Sequence, residues 1–317
     1  MTEARALRVL VLAGGLSYER EVSLRSGRRA VDALRGAGVD ATLRDADAAL
    51  LPALDADPPD AVLVALHGAS GEDGSLRAVL DLVGLPYLGA DARAARLAWD
   101  KPSAKSVLRT AGVPTPDWVT LPQERFTELG GEAVLQRVTA GLGLPLIVKP
   151  AQGGSGLGVS RVSSAVDLPA AMVTACGYYP TALVERYAVG ADVAVSVIDD
   201  GGGPRALTPV EIAPHAGVYD YAARYTAGLT TWHAPARLAD EVLDSVRALA
   251  VRAHTTLGLR DLSRVDLIVS PDGAAQVLDV NVAPGLTETS LLPMAAHAEG
   301  LDLGKLLAAL LRHRIAA

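Results

Sequence analysis

Residues 7–15 have the sequence LRVLVLAGG, an apolar run of strand length that ends in two glycines. A second apolar run, AVLVAL at 61–66, also leads into a polar, glycine-rich stretch, at 67–74. Each run is followed by apolar residues at helical spacing, over 21–35 and over 76–83 respectively. Strands that alternate with helices predict an α/β fold whose parallel sheet is covered on both faces. In such sheets ligands bind beyond the carboxyl ends of the strands, where both glycine-rich stretches fall.

The pattern of elements changes twice along the chain, which predicts three domains, at 1–98, 99–187 and 188–317. The second domain combines helices with strands around a glycine-rich loop. Its predicted elements are a helix at 101–111 and strands at 144–149, 159–162 and 182–187. The third domain combines strands with one long amphipathic helix. Its predicted elements are strands at 193–198 and 265–269, a strand that runs into Asn281, and the helix at 239–257.

Composition excludes several classes of protein. With 50% hydrophobic and 21% charged residues, the 317-residue chain is too apolar for intrinsic disorder. It has no apolar run near the roughly 18 residues of a membrane span, and its first residues lack the layout of a signal peptide. A formal charge of −7 argues against a protein that coats nucleic acid, and the single cysteine, Cys176, excludes an internal disulfide. We therefore expect a cytoplasmic enzyme with no membrane partner and no nucleic-acid partner.

The loop at 152–158 contains four glycines in seven residues. Glycines leave backbone N–H groups uncovered and adopt positive φ readily, as a phosphate cradle requires. Lys149, at the end of the preceding strand, adds a cation at the same place. The loop matches neither a Walker motif nor a dinucleotide-binding fingerprint. The alternative is a flexible hairpin tip, because a glycine-rich loop alone is weak evidence for phosphate binding.

Asp266, Asp279 and Asn281 form a second polar group. Residues two apart in a strand face the same side, and a turn at 271–273 would bring Asp266 opposite the other two. Two carboxylates and an amide are oxygen ligands that suit Mg²⁺ together with phosphate and water. The alternative is a surface hairpin with solvated acids. Apolar residues alternate with this polar set in both strands, which favours one buried face and one metal-binding face.

Further motifs accompany these two groups in a fixed order along the chain. They are AGGLSYEREVS at 13–23, LHG at 66–68, GEDG at 71–74, WDK at 99–101, VKP at 148–150, VYDYAARY at 218–225 and NVAPGLT at 281–287. In this order they resemble the ATP-grasp superfamily, and specifically the D-alanine–D-alanine ligases, over nearly the whole chain. The resemblance implies a three-domain ATP-grasp architecture. An N-terminal parallel α/β sheet domain would be followed by central and C-terminal α+β domains that clamp ATP.

The resemblance also implies an activity and its residues. ATP would convert one D-alanine into an acyl phosphate, and a second D-alanine would displace phosphate to give D-alanyl-D-alanine for peptidoglycan. Glu19 would bind the first amino group in a hydrogen-bonded set with Ser155 and Tyr225, and His67 would lie nearby. The residues implied at the oxyanion are Arg264 and the N–H of Gly285, and those implied at the second carboxylate are Ser290 and the N–H of Leu291.

On the nucleotide side, the resemblance implies that ATP is bound by residues spread between positions 101 and 224. They are Lys101 and Lys149 at the phosphates, Gly154 and Ser155 in the closing loop, Glu185, Arg186 and Ala188 at the adenine, Asp192 at the ribose, and Arg224. Asp266, Asp279 and Asn281 would hold two Mg²⁺ ions, with Mn²⁺ as a substitute. The resemblance further implies a homodimer.

Three departures from the family pattern limit this transfer of roles. Arg224 stands where the family usually has Lys, Asp279 replaces the usual Glu, and the pair at 282–283 replaces a small polar pair. Two other functions stay open: another ATP-grasp carboxylate–amine ligase with a different substrate pair, and a nucleotide-binding regulator without turnover. For Arg264 the alternative to an oxyanion contact is a structural ion pair with Asp266.

Overall fold

A computed structural model describes residues 5–215, 219–226 and 228–317, without the side chains of Thr127 and Tyr225. These residues form three sheets, one within each of the three predicted segments. The first sheet is parallel, whereas the other two are antiparallel and pack against helices. The α/β fold class with a parallel N-terminal sheet is therefore confirmed.

The first sheet holds the two apolar runs in neighbouring strands. Its elements are β1 (Arg8–Leu12), α1 (Arg20–Gly36), β2 (Asp40–Arg44), α2 (Leu50–Ala56), β3 (Ala61–Val64), α3 (Ala69–Glu72), α4 (Ser75–Val83) and β4 (Tyr87–Leu88). The strand order is β2-β1-β3-β4. β3 is buried at every position, as expected for a parallel strand covered on both faces. Because β1 and β3 are paired and parallel, the loops after them lie side by side.

The second sheet carries the glycine-rich loop at the tip of a hairpin. The elements of this part are α5 (Ala92–Trp99), α6 (Lys101–Thr110), β5 (Trp118–Pro122), α7 (Gln123–Leu129), α8 (Gly131–Leu142), β6 (Leu146–Pro150), β7 (Ser160–Val162), a 3₁₀ turn (Ala165–Asp167), α9 (Leu168–Cys176) and β8 (Thr181–Arg186). The strand order is β5-β8-β6-β7. In the loop between β6 and β7, φ is positive at Gly153, Ser155, Gly156 and Gly158. Three of the four glycines therefore use the conformation expected of a phosphate cradle.

The third sheet is built on two long central strands. Its elements are β9 (Ala191–Ile198), β10 (Arg205–Ala206), β11 (Val210–Pro214), α10 (Tyr221–Tyr225), β12 (Thr230–His233), α11 (Asp240–Thr256), β13 (Leu262–Val269), β14 (Ala275–Asn281), α12 (Leu291–Ala298) and α13 (Leu303–Ala316). The strand order is β12-β11-β9-β13-β14, and β10 pairs with β9. The hairpin of β13 and β14 contains a register shift after Asp266, which leaves Asp266 directly opposite Asp279.

Two hydrophobic clusters cross the predicted domain boundaries. One cluster joins β1 and β3 to α12 and α13, so helices late in the chain pack on the first sheet. The other joins α5 and α6 to α11 and the third sheet, so this early segment shares its core with β13 and β14. The boundaries after residues 98 and 187 therefore stay predictions. Among the described residues, no helix has the length and apolar character needed to cross a membrane.

Candidate active site

Two adjoining cavities lie where the three sheets approach one another. The larger cavity lies between the second and third sheets, and the smaller one lies between the loops of the first sheet and the segment 281–291. The residues that line both are Glu72, Ser155, Tyr219, Arg224, Arg264 and Asn281. A ligand in one cavity would therefore adjoin a ligand in the other.

Most residues that the sequence predicts for the site come together around these cavities. Besides the residues shared by both, the larger cavity is lined by Lys101, Lys149, Gly154, Glu185, Ala188, Asp192, Asp266 and Asp279. The smaller cavity is lined by Glu19, His67, Gly285, Ser290 and Leu291. Arg186 is the exception: it is exposed and lines neither cavity. The side chain of Tyr225 lies outside the described part of the chain.

Glu19 is a buried carboxylate at the start of α1. The hydroxyl of Ser155 donates a hydrogen bond to Glu19 Oε1, which links the loop after β1 to the tip of the β6–β7 hairpin. Two glycines permit this contact, since a Cβ on Gly68 would lie 2.5 Å from Glu19 Oε2 and one on Gly154 would lie 3.0 Å from it. Burial raises the pKa of Glu19, although the Ser155 hydrogen bond and nearby cations oppose the rise.

His67 forms part of the opposite wall of the smaller cavity. Its Nε2 lies 2.9 Å from Ser26 Oγ, and Ser26 Oγ accepts the Leu286 N–H at 3.2 Å. Burial lowers the pKa of His67 to about 4, so the imidazole is neutral near pH 7. These contacts fix the segment after β14 against α1 and the loop after β3.

Cations cluster on the larger cavity. Lys101 donates to the carbonyl oxygen of Gly153 at 2.5 Å, and its Nζ lies 3.6 Å from Asp279 Oδ2. Lys149 Nζ lies 3.1 Å from Glu185 Oε1. Both lysines are buried, so their charges are weakly screened by water. They provide two ammonium groups beside the glycine-rich loop.

The β13–β14 hairpin presents the predicted polar group on one face. In the register of the two strands, Asp266 lies opposite Asp279 and Arg264 lies opposite Asn281. Arg264 Nε and Nη2 donate to the two Asp266 oxygens at 2.7 and 2.8 Å, so the ion pair considered as the alternative is present. Burial disfavours the charge of Arg264, but Asp266 more than offsets it and raises the pKa of Arg264. Burial also opposes ionisation of Asp279, yet its nearby lysines hold its pKa below the usual value.

The segment after β14 ends in a helix N-terminus. A Cβ on Gly285 would lie 2.6 Å from Ser290 Oγ, so only glycine permits this close approach. Ser290 Oγ accepts the Thr287 N–H at 3.0 Å. Leu291 is the first residue of α12, where uncovered N–H groups and the helix dipole favour an anion. This end of the smaller cavity therefore suits a carboxylate.

Comparison with known proteins identifies the family. A family model described as the D-ala D-ala ligase C-terminus matches residues 107–312. The D-alanine–D-alanine ligase of Anaeromyxobacter dehalogenans (strain 2CP-C) is 40% identical over 93% of this chain and 92% of its own length. The chain belongs to the D-alanine–D-alanine ligase family. The resemblance inferred from the order of motifs is thereby confirmed.

Two solved structures share the fold over almost the whole chain. The Bacillus anthracis D-alanine–D-alanine ligase complexed with ATP has a TM-score of 0.81 and 28% identity, and the match covers 98% of each chain. The VanG D-Ala:D-Ser ligase from Enterococcus faecalis has a TM-score of 0.83 and 26% identity, with 98% of this chain and 100% of that chain covered.

Arg224 occupies a defined position in this member of the D-alanine–D-alanine ligase family. Its guanidinium carbon lies 4.2 Å from the ring centroid of Tyr219, and its Nε donates to the Tyr219 carbonyl oxygen at 3.3 Å. Stacking on an aromatic face suits the flat guanidinium better than an ammonium. The departure from the usual Lys is therefore accompanied by a contact that fixes the direction of the longer side chain.

Sequence reasoning assigned no role to two buried residues of the site. Glu72 lines both cavities and accepts the Gly68 N–H at 2.8 Å, and burial together with the charge of Glu19 raises the pKa of Glu72 to about 8. Its signal was the GEDG motif after β3. Lys105 lies 2.7 Å from Glu185 Oε2, and its signal was the four-residue spacing from Lys101 on one helix.

Proposed function

We propose that this protein catalyses the ATP-dependent joining of two D-alanine molecules, with release of ADP, phosphate and D-alanyl-D-alanine. The observation that carries the proposal is the wall shared by the two cavities. One cavity holds the lysines, the other holds Glu19, and Arg264 lines both. Polyphosphate requires cations and an ammonium requires a carboxylate, so two reactants of opposite charge would meet at this wall.

The chemistry proceeds in two balanced steps. A carboxylate oxygen of the first D-alanine attacks the γ-phosphorus of ATP, and ADP leaves with the electron pair of the broken P–O bond. The amine of the second D-alanine then attacks the carbonyl carbon of D-alanyl phosphate. Phosphate leaves with the C–O electron pair, and the nitrogen loses a proton to give the peptide bond.

The smaller cavity would hold the two amino acids. Glu19, supported by Ser155, binds the ammonium of the first D-alanine, and Tyr225 belongs to the same proposed set. Arg264 and the Gly285 N–H stabilise the oxyanion formed as the second amine attacks. A fixed donor of this kind is typically worth about 3 kcal/mol of activation free energy. The neutral imidazole of His67 packs beside the first substrate.

The second D-alanine would bind by its carboxylate at the start of α12. Ser290 offers a hydroxyl, and the Leu291 N–H lies at the positive end of the helix. Binding here would place the amine of the second D-alanine in the cavity that Arg264 also lines. The first carbonyl carbon is then approached from the side of the smaller cavity.

ATP would occupy the larger cavity. Lys101 and Lys149 bind phosphate oxygens beneath the 152–158 loop, with Gly154 and Ser155 contributing from the loop and Arg224 from the shared wall. The adenine lies against Glu185, the backbone of Arg186, and Ala188. Burial raises the pKa of Asp192 to about 6, so a ribose hydroxyl would satisfy a carboxyl that is costly to leave ionised.

The donors at the hairpin fit two Mg²⁺ ions, or Mn²⁺ in their place. Asp279 is ionised, and Asp266 keeps free lone pairs although Arg264 donates to both of its oxygens. Asn281 completes the set of oxygen ligands, which hard cations prefer. Among the described residues no group of three or more His, Cys, Asp or Glu is placed for a metal. Phosphate oxygens and water would supply the further ligands that Mg²⁺ takes. When bound, the metal neutralises charge on the phosphates.

The test is phosphate release from ATP and Mg²⁺ with each D- and L-amino acid, singly and in pairs, followed by mass analysis of the product. We expect D-alanine alone to give ADP, phosphate and the dipeptide in equal amounts. Binding of ATP without phosphate release across the panel would favour a nucleotide-binding regulator instead.

A second candidate is a ligase with a different second amino acid. The similarity to a D-Ala:D-Ser ligase favours it. A mixed dipeptide formed faster from D-alanine plus D-serine than from D-alanine alone would select this candidate. Homodimer formation and a cytoplasmic location complete the proposal, and light scattering of the purified protein tests the dimer.

A further inference from the structure

Lys105 lies behind the larger cavity, the proposed ATP site, and does not line it. It follows Lys101 by about one helical turn of α6, and the two lysines contact different parts of the second sheet. Lys101 reaches the glycine-rich loop, whereas Lys105 reaches Glu185 on β8. The side chains of Lys105 and Glu185 are both only 3% exposed. This ion pair is therefore shielded from water, and removing either residue would leave the charge of the other without its buried partner.

The contacts of Glu185 divide its two oxygens between two lysines. Oε2 lies 2.7 Å from Lys105 Nζ, and Oε1 lies 3.1 Å from Lys149 Nζ. Glu185 and Lys149 line the cavity, so Lys105 is the member of the group that acts from outside it. With Lys105 present, one carboxylate is shared by two cations, and the group keeps a net positive charge.

The position of Lys105 is fixed by its other contacts. Its ammonium donates to Thr115 Oγ1, and it lies 5.1 Å from the ring centroid of Trp118. Trp118 lies opposite Glu185 in the pairing of β5 with β8, so these contacts hold the Lys105 ammonium beside Glu185. Nothing in this arrangement requires nucleotide to be bound.

We infer that Lys105 is a positioning residue for ATP: it neutralises Glu185 from behind and so leaves the Lys149 ammonium available to phosphate. Without Lys105, the Glu185 carboxylate takes Lys149 as its main counter-charge. Lys149 is then held against β8 by an ion pair that water screens weakly, and it contributes less to nucleotide binding. This inference rests on the proposed ATP-dependent activity.

The experiment compares Lys105→Met, Lys105→Gln and Lys105→Arg with the parent protein. Calorimetry measures the Kd for ATP with Mg²⁺, and steady-state kinetics measure the KM for D-alanine. We expect the Met and Gln variants to raise the Kd for ATP about tenfold, since a buried carboxylate loses one of two cations. The KM for D-alanine should stay within about twofold, and Arg should restore most of the ATP affinity because it keeps the charge.

The controls separate this effect from a structural one. Lys305→Met makes the same substitution at an exposed lysine of α13 and should bind ATP like the parent. If the Met variant does not fold, the Gln variant decides, because its amide can still contact Thr115 and Glu185. A folded Lys105→Gln protein with the parent's Kd for ATP would overturn the inference. A parent that neither binds ATP nor forms the dipeptide would overturn the proposed function and this inference with it.

Discussion

The two cavities differ in the charged groups that are found in only one of them: Glu19 lines the smaller cavity, whereas Lys101 and Lys149 line the larger one. The smaller cavity brings two carboxylates together, Glu19 and Glu72, and burial raises the pKa of both. In the wall of the larger cavity, Glu185 contacts Lys149 and also Lys105, which lies behind the cavity and whose pKa burial lowers to about 8. Each cavity thus brings like charges close together, beside groups of the opposite charge that partly offset them.

This difference predicts how the site distinguishes its reactants. Grouped like charges cost free energy in the empty protein, and a ligand of opposite charge relieves that cost. The carboxylate cavity is matched to an ammonium, and the lysine cavity is matched to polyphosphate. Arg264 stands between them, and its ion pair with Asp266 connects the amino-acid side to the proposed metal side.

The largest effect is expected at this junction. Arg264→Lys keeps a cation beside Asp266 but loses the two-pronged contact, so kcat should fall by about 100-fold while the thermal midpoint changes little. Measuring both on one preparation gives the answer, with Arg205→Lys in an exposed ion pair as the matched control. A large loss of midpoint with a normal rate per folded molecule would mean that Arg264 is only a structural partner of Asp266.

The next effect concerns the metal side. Asp279→Asn should raise the Mg²⁺ concentration for half-maximal rate about tenfold, because a metal ligand loses its charge. Asp279→Glu restores the carboxylate that the family usually has and should be tolerated. Asp272→Asn, in the turn of the same hairpin, serves as the control. A Mg²⁺ titration of Asp279→Asn that superposes on the parent's would place the metal elsewhere.

The sequence predicted the parts of the molecule that depend on local pattern. The strands at 7–12 and 61–66 were visible because both faces of a parallel strand are buried. β2 was missed, since its sequence Asp-Ala-Thr-Leu-Arg lies at the sheet edge and has one buried position. Helix α13 was missed as well, although it packs against the first sheet.

The site followed the same division. Glu19, Lys149 and the hairpin acids belong to short motifs, so their sequence spacing was informative. The pairing of Lys105 with Glu185 joins residues far apart in the chain, and only the tertiary structure brings them together. The same holds for Glu72 and Glu19, which line the smaller cavity together, so the charge of Glu19 helps to raise the pKa of Glu72.

A smaller effect sharpens the contrast in charge. The pKa of Glu72 is raised from 4.5 to about 8, so between these values the folded protein binds more protons than the unfolded one. Glu72 should therefore contribute a loss of stability as pH rises from about 5 to 8, and Glu72→Gln should remove that contribution. Thermal midpoints across this range test the prediction, with exposed Glu128→Gln as the control. Equal slopes for parent and Glu72→Gln would show that Glu72 ionises normally.

The central claim is that each cavity recognises one reactant by charge. The most direct measurement is a crossed comparison of Glu19→Gln and Lys149→Met, with the Kd for ATP and the KM for D-alanine determined for both. Glu19→Gln should weaken only the interaction with D-alanine, by on the order of 1.5–3 kcal/mol, because the variant loses a charge-assisted hydrogen bond to the ammonium. Lys149→Met should weaken mainly ATP. The account is contradicted if either variant changes both constants equally, or if Glu19→Gln leaves the KM for D-alanine unchanged.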